Sequence, residues 1–249
     1  MYNAIVLAGG VSKKLSAEDV QMYEAFIDIG GTPMLYFVLK ALVQSEKIGR
    51  IIVAGPMERL QKIALPEKVM PVSSGSTIFD TVLNGMTALA ATKKTLIVTV
   101  DIPFITTEAI DDFLMQCERE KGDFYYPIIE KSISEAKFPQ GKRTYVKLTD
   151  GVFTGGNLFL VNPAIVPQCM MVAKKMIANR KKPWRLASLL GWTTLMKFVC
   201  GYLSVEAAKM RVSKILAVQG VVIRSKYPEI GMDIDKSSDI ELAKQYLVK

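Results

Sequence analysis

The first ten residues restrict the fold more than any other stretch of the chain. Tyr2-Asn3-Ala4-Ile5-Val6-Leu7 is a nearly unbroken apolar run that opens directly into Ala8-Gly9-Gly10, with Ser12-Lys13-Lys14 close behind. A run without polar alternation is buried on both faces, which is the condition of a parallel strand inside an α/β sheet. Paired glycines at its end let backbone N–H groups approach a ligand closely, and the two lysines supply positive charge at the same place. A phosphate-bearing ligand at the carboxyl end of this first strand is the expectation that follows.

Composition narrows the chemistry. The 249 residues contain no histidine, which excludes Ser-His-Asp and Cys-His nucleophilic schemes, histidine general bases and histidine-ligated metals. Any metal is then expected to be a hard cation held by carboxylates, phosphates and water. The net charge of +8 suits an anionic small molecule. The basic residues are dispersed and lack aromatic interleaving, so nucleic acid is not expected as a partner. Cys117, Cys169 and Cys200 are odd in number and far apart, which argues against a disulfide framework or zinc. No basic leader precedes the first apolar run, and the reading is a cytoplasmic protein without a membrane span.

Short aliphatic runs at 2–7, 51–54 and 96–100 are each followed by Gly, Asp or Pro. Helical patterns separate them: Met34, Leu35, Val38, Leu39 and Leu42 form one apolar face, Thr77 with Asp80 caps a second helix to about Ala91, and Ile110, Phe113 and Leu114 mark a third. This alternation predicts a parallel sheet with right-handed crossovers and a site at the carboxyl ends of its strands. Two further strands are expected at 124–129 and 156–161, separated by a polar, lysine-rich excursion. Residues 163–213 read as a mainly helical insertion within a single domain spanning 1–249. The apolar stretch Leu189–Val205 is too short and broken to span a membrane, and is expected as a buried helix pair. A last strand is expected at Gly231–Asp235, followed by a helix capped by Ser238 with Glu241.

Four constellations carry chemistry. Asp101 lies at the end of the apolar run Leu96–Val100, where an open α/β sheet places ligand-facing carboxylates, and it is expected to bind Mg²⁺. Asp233 and Asp235, at i and i+2 of the expected last strand, would share one face and with Asp101 cradle the metal. Gly75, Ser76 and Thr77, within Ser73–Thr77, fit either a base or phosphate contact at a helix N-terminus or an ordinary N-cap. Thr154-Gly155-Gly156-Asn157 fits either close approach of a second substrate or a strand bulge.

Taken in order along the chain, Ala4–Gly10, Val100-Asp101-Ile102-Pro103-Phe104-Ile105-Thr106, Phe153–Phe159 and Gly231–Asp239 resemble the MobA-like NTP transferases. The resemblance implies a three-layer sandwich around a mixed, mostly parallel sheet, Rossmann-like and of the glycosyltransferase-A type. It implies an enzyme that joins the nucleoside monophosphate part of an NTP to a phosphorylated or otherwise anionic acceptor, releasing pyrophosphate. On that reading Leu7, Ala8, Gly9 and Gly10 contact base and ribose, and Lys13 or Lys14 grips the triphosphate. Asp101 and one of Asp233 and Asp235 bind Mg²⁺, and Thr154–Asn157 faces the acceptor. Because an acceptor phosphate is already a nucleophile, the absence of histidine is no obstacle.

The sequence departs from the family pattern at Glu24, which stands where relatives place a phosphate-binding lysine. Lys13, Lys14 or Lys142-Arg143 would then hold the triphosphate. The same departure keeps a nucleotide-binding or regulatory module without turnover as an alternative. A nucleotide-sugar glycosyltransferase is a second alternative, weakened because Asp101 is followed by Ile102-Pro103 rather than completing an acidic pair. A homodimer is left open.

Overall fold

The structure, a computed structural model, describes residues 1–12, 22–170, 172 and 191–248. Within these, β1 (Tyr2–Leu7) leads to a small hairpin of β2 (Asp28–Ile29) and β3 (Thr32–Pro33), then α1 (Met34–Gln44) and β4 (Ile48–Gly55). The one-turn α2 (Met57–Leu60), β5 (Val69–Ser73), α3 (Ile78–Ala88), β6 (Thr95–Thr99) and α4 (Thr107–Arg119) follow. The second half contributes β7 (Phe124–Glu130), α5 (Lys131–Lys137), β8 (Val146–Leu148), β9 (Gly151–Gly155) and β10 (Leu158–Val161). It ends with α6 (Trp192–Val199), α7 (Val205–Leu216), β11 (Gly220–Ser225) and α8 (Ser237–Leu247).

One sheet runs in the order β5-β4-β1-β6-β10-β7-β9-β8, with β11 beside β7. The first four of these strands are parallel, β10 is antiparallel to both β6 and β7, and β11 returns parallel to β7. Side chains alternate across the pleat. Ala4 and Val6 on β1 therefore pack in the core that contains Leu35, Leu39 and Leu42 of α1 and Ile110, Phe113 and Leu114 of α4. Ile5 and Leu7 pack on the opposite face with Met86 of α3, Leu89, Ile97 and Val161. The result is a three-layer α/β sandwich around a mixed, mostly parallel sheet, and β1 is central in it because both its faces are apolar. Phe113 is fully buried, and its truncation to alanine would cost about 3–5 kcal/mol.

The cap of α3 falls where the sequence places it, and α4 carries one of the same kind. Thr77 Oγ1 accepts from the Asp80 N–H at 3.2 Å at the start of α3, and Thr106 Oγ1 accepts from the Ala109 N–H at 3.2 Å at the start of α4. Each satisfies a donor that a helix N-terminus leaves without a partner.

Several expectations are corrected. Gly231–Asp235 is not a strand. Pro228–Gly231 forms a 3-10 turn, and the chain then crosses the end of β6 with the Ile234 N–H donating to the Asp101 carbonyl at 2.8 Å. No ladder is available there, because the edge of β7 is already paired with β11 and β9. The cap of α8 lies earlier than Ser238: Asp239 Oδ2 accepts from the Asp235 and Lys236 N–H groups at 3.0 Å each. The lysine-rich excursion contains α5 and the β8–β9 hairpin, whose loop is Thr149-Asp150 before Gly151.

The apolar stretch 189–205 is described from Gly191 onward and is not a buried helix pair. α6 buries none of its residues, and Trp192, Met196, Val199 and Tyr202 are exposed. The helical spacing is present, but the sheet face it would cover already carries α3 and α7. Leu203 and Val205, at the entry to α7, are buried. Among the described residues no helix is long and apolar enough to cross a membrane.

Candidate active site

The site is built at the carboxyl ends of β1 and β6. At the end of β1 the Ala8 N–H donates to the Ala54 carbonyl at 2.8 Å, keeping the chain on the sheet as it enters Gly9-Gly10. A Cβ on Gly9 would lie 2.7 Å from Ser74 Cβ, so the glycine loop and the loop after β5 touch only because Gly9 has no side chain. A Cβ on Gly10 would collide with the Glu24 carboxylate. The segment bearing Glu24 is stitched back onto the loop: the Ser12 N–H donates to the Met22 carbonyl and the Glu24 N–H to the Gly10 carbonyl, both at 3.0 Å. Glu24 is thus a residue of this loop region despite its distance in sequence. Lys13 and Lys14, the expected triphosphate grips, lie outside the described residues.

Asp101 lies two residues beyond the end of β6. Thr99 Oγ1 donates to Asp101 Oδ1 at 2.5 Å, and the Asp101 carbonyl takes the Ile234 N–H. That backbone bond brings the two aspartate motifs together. In the crossing segment Met232 and Ile234 are buried, Asp233 is half-buried and Asp235 is exposed, so an alternation like that of a strand persists without a sheet partner. The two carboxylates nevertheless differ in setting. Asp233 is ion-paired with Arg143, whose guanidinium also donates to the Asp233 carbonyl. Asp235 lies within electrostatic range of Glu24, Asp101 and Arg143.

The electrostatics record an excess of negative charge. Glu24 is pushed up to about 7 by burial first, then by the charges of Asp101 and Asp235. Burial also raises the Asp101 carboxyl, with a further push from Asp235, against the hydrogen bond from Thr99 and the positive charge of Arg143. Carboxylates that resist ionisation together are the environment a divalent cation relieves. Among the described residues no three acidic or sulfur ligands converge on one metal-sized point. Asp101 and Asp235 are the carboxylates here that could hold a hard cation such as Mg²⁺, which takes one or two carboxylates and completes its shell with water and substrate phosphates.

The Ser73–Thr77 loop abuts the glycine loop but spends its own polar groups on itself. The Gly75 N–H donates to Thr81 Oγ1 at 3.0 Å, and the Ser76 and Thr77 hydroxyls donate to Asp80 Oδ2 at 2.8 and 2.6 Å. Thr154-Gly155-Gly156-Asn157 forms the opposite wall. Gly155 lies directly beneath the Tyr126 hydroxyl, and a Cβ on Gly156 would meet Ile230 and Pro127 at 2.6 and 2.7 Å. Asn157 closes the segment onto the site, its carbonyl accepting from the Thr99 N–H at 3.0 Å.

Two supports were not legible in the sequence. Glu229 is buried, yet it pairs with Lys137 Nζ at 3.0 Å and accepts from Thr106 Oγ1 at 3.3 Å. It thereby ties the start of α4 and the end of α5 to the turn that delivers Asp233 and Asp235. Arg143 was noted only as an alternative phosphate grip, and the structure places it in the carboxylate cluster. Among the described residues, its Nε and the hydroxyl of Tyr145 are buried without hydrogen-bond partners. Buried donors in that state are sites where a further polar group is expected to dock.

The MobA-like NTP transferase domain matches residues 4–177 of this chain. The chain belongs to that family. Among solved structures, a hypothetical transferase from Thermus thermophilus is 32% identical with a TM-score of 0.81, covering 96% of this chain and 99% of its own. A curated relative, the 2-C-methyl-D-erythritol 4-phosphate cytidylyltransferase of Clostridium beijerinckii, is 30% identical over 130 residues, or 49% of this chain and 56% of that protein. This MobA-like chain spans little more than half the length of the curated relatives it matches. The 4-diphosphocytidyl-2C-methyl-D-erythritol synthase of Anaerococcus prevotii, 14% identical with a TM-score of 0.61 over all of this chain and 96% of that one, shares the fold. The expected architecture, an α/β sandwich of the glycosyltransferase-A-like nucleotidyltransferase type, is the one observed.

Proposed function

We propose that this MobA-like protein is a Mg²⁺-dependent nucleotidyltransferase. It would transfer the nucleoside monophosphate part of an NTP to a phosphorylated acceptor and release pyrophosphate. The observation that carries this reading is the convergence of the Gly9-Gly10 loop, Asp101 and Asp235 at the carboxyl ends of β1 and β6. The cytidylyltransferase names among the relatives make CTP the first nucleotide to test.

In this reading Leu7–Gly10 and the adjoining Ser73–Thr77 loop seat the nucleoside. Asp101 and Asp235 hold the metal, which when bound supplies neutralising charge at the phosphate oxygens. Asp233 is a positioning residue, since its carboxylate is committed to Arg143. Arg143, with its unpartnered Nε, and Lys13 or Lys14 supply positive charge to the phosphates. The acceptor phosphate needs no general base, because its oxygen is already deprotonated. Thr154–Asn157 orients the acceptor against the α-phosphate.

A second reading, a nucleotide-binding module without turnover, is favoured by one observation: the carboxylate of Glu24, at the position where the family resemblance implies a lysine, sits against Gly10. Pyrophosphate release measured from each of the four NTPs with Mg²⁺ and a panel of sugar and alkyl monophosphates separates the two. Release that falls on the order of a hundredfold or more in Asp101→Ala supports the transferase. NTP binding without release from any acceptor supports the module. Release unaffected by Asp101→Ala removes the metal assignment.

A further inference from the structure

The face of the sheet between α3 and α7 carries a cavity that the chemistry above does not use. Its larger part, about 780 Å³, lies under α7 and is walled by Ile128, Val146, Phe153, Val205, Val212 and Leu216. A second part, about 320 Å³, continues toward α3 and shares Phe124 and Leu216 with the first. These volumes are those of ligand sites. Between them lies an aromatic floor: Phe159 stacks on Phe124 and on Tyr126 with ring centroids 5.9 and 5.6 Å apart.

The cavity meets the candidate active site at both ends. Thr154 and Gly155, the segment assigned to the acceptor, line its larger part. Leu7, the residue before the glycine loop, lines the smaller. The walls offer a bound molecule hydrocarbon and ring faces, and the few polar side chains, such as Lys209 and Ser213, come from the larger part. A sugar phosphate has no partners for its hydroxyls on such a surface, and burying them would be costly. The outer surface beside α7 has the same character. α6 exposes Trp192, Met196 and Val199 along one stripe, with Lys197 on the same helix, which is the pairing of apolar and basic groups found at lipid interfaces.

We propose that this cavity holds the hydrocarbon chain of the acceptor, so that the acceptor is an amphiphile: a monophosphate carried on a long alkyl or prenyl chain. The inference rests on the nucleotidyl-transfer reading and names its substrate class. An oxygen of the acceptor phosphate bonds to the α-phosphorus of the NTP, and the bond from that phosphorus to the α,β-bridging oxygen breaks. Pyrophosphate leaves with the electron pair. Nothing is oxidised or reduced, and the product is a nucleoside diphosphate esterified to the chain.

The test is a chain-length series on the intact protein with Mg²⁺ and its best NTP: methyl, butyl, octyl and geranyl monophosphates, with glycerol phosphate as the polar comparison. The inference expects kcat/KM to rise about fourfold per buried methylene until the cavity is filled. The octyl and geranyl arms then distinguish a linear from a branched, unsaturated source. Turnover of glycerol phosphate with no dependence on chain length overturns the amphiphile while leaving nucleotidyl transfer intact. Absence of pyrophosphate from every acceptor overturns both. Ala208→Trp, which fills the cavity from α7, should flatten the series, with melting temperature reporting on its fold. An unflattened series in a folded Ala208→Trp protein also overturns the proposal.

Discussion

Glu24 and Gly10 are in direct apposition: the Glu24 N–H donates to the Gly10 carbonyl at 3.0 Å, and its carboxylate covers the glycine Cα. A carboxylate therefore sits over a loop whose glycines otherwise suit a phosphate. The same carboxylate lies in the field of Asp101 and Asp235, which makes it part of an acidic cluster more than of a phosphate grip.

The two loop glycines should respond differently to alanine. A methyl on Gly9 meets Ser74 Cβ at 2.7 Å, and that atom moves only with its backbone, which is tied to the Gly55 carbonyl by the Ser74 N–H at 3.0 Å. Gly9→Ala should lose about 1–3 kcal/mol in urea unfolding. Gly10→Ala meets only the tip of Glu24, which can rotate away, and should lose less than about 0.5 kcal/mol. Equal losses would mean that the Ser74 contact is not tight.

Stability should decrease as pH rises from the ordinary carboxylate range to about 7. In that window folded Glu24 keeps a proton that the unfolded chain has released, so the unfolded state binds fewer protons and the folded state loses ground. Denaturant midpoints between pH 4.5 and 7.5 should show this slope, and Glu24→Gln should flatten it. A Glu24→Gln profile parallel to wild type would place the titrating group elsewhere.

Arg143 and Asp233 are predicted to be coupled. Arg143→Met leaves Asp233 without its partner and should destabilise by about 3 kcal/mol. Adding Asp233→Asn should restore a substantial part of that loss. Additive losses in the double variant would mean that the pair contributes nothing beyond its separate contacts.

Glu24→Lys places at this position the positive charge that the family resemblance implies. Triphosphate binding should tighten on the order of tenfold at low salt, and less at high salt. Unchanged or weaker binding by calorimetry would show that this position does not face the phosphates.

Much of the fold was legible because its signals are local. The apolar runs of β1, β4 and β6 and the caps Thr77 and Thr106 depend on neighbours within a few residues. What was missed depends on the rest of the chain. Gly231–Asp235 has strand-like alternation, but only the folded chain shows that it crosses the end of β6 instead of pairing along a strand. The stripe on α6 has helical spacing, but whether a stripe is covered is decided by which elements reach the sheet first. The Asp-Gly at 150–151 is a local signal for the β8–β9 hairpin. In the site, Asp101 and the glycine loop were legible from their position after apolar runs. The separation of Asp233, held by Arg143, from Asp235, which lies within electrostatic range of Asp101, was not, since it depends on a side chain ninety residues away.

The central claim is that Asp101 and Asp235 hold a Mg²⁺-bound nucleotide against the glycine loop. Calorimetric titration of NTP into the protein, with Mg²⁺ and then with EDTA, tests it most directly when repeated on Asp101→Asn. The account predicts binding at least about tenfold tighter with Mg²⁺ in the wild type, and no Mg²⁺ dependence in the variant. Equal affinity in Mg²⁺ and EDTA for the wild type would contradict it.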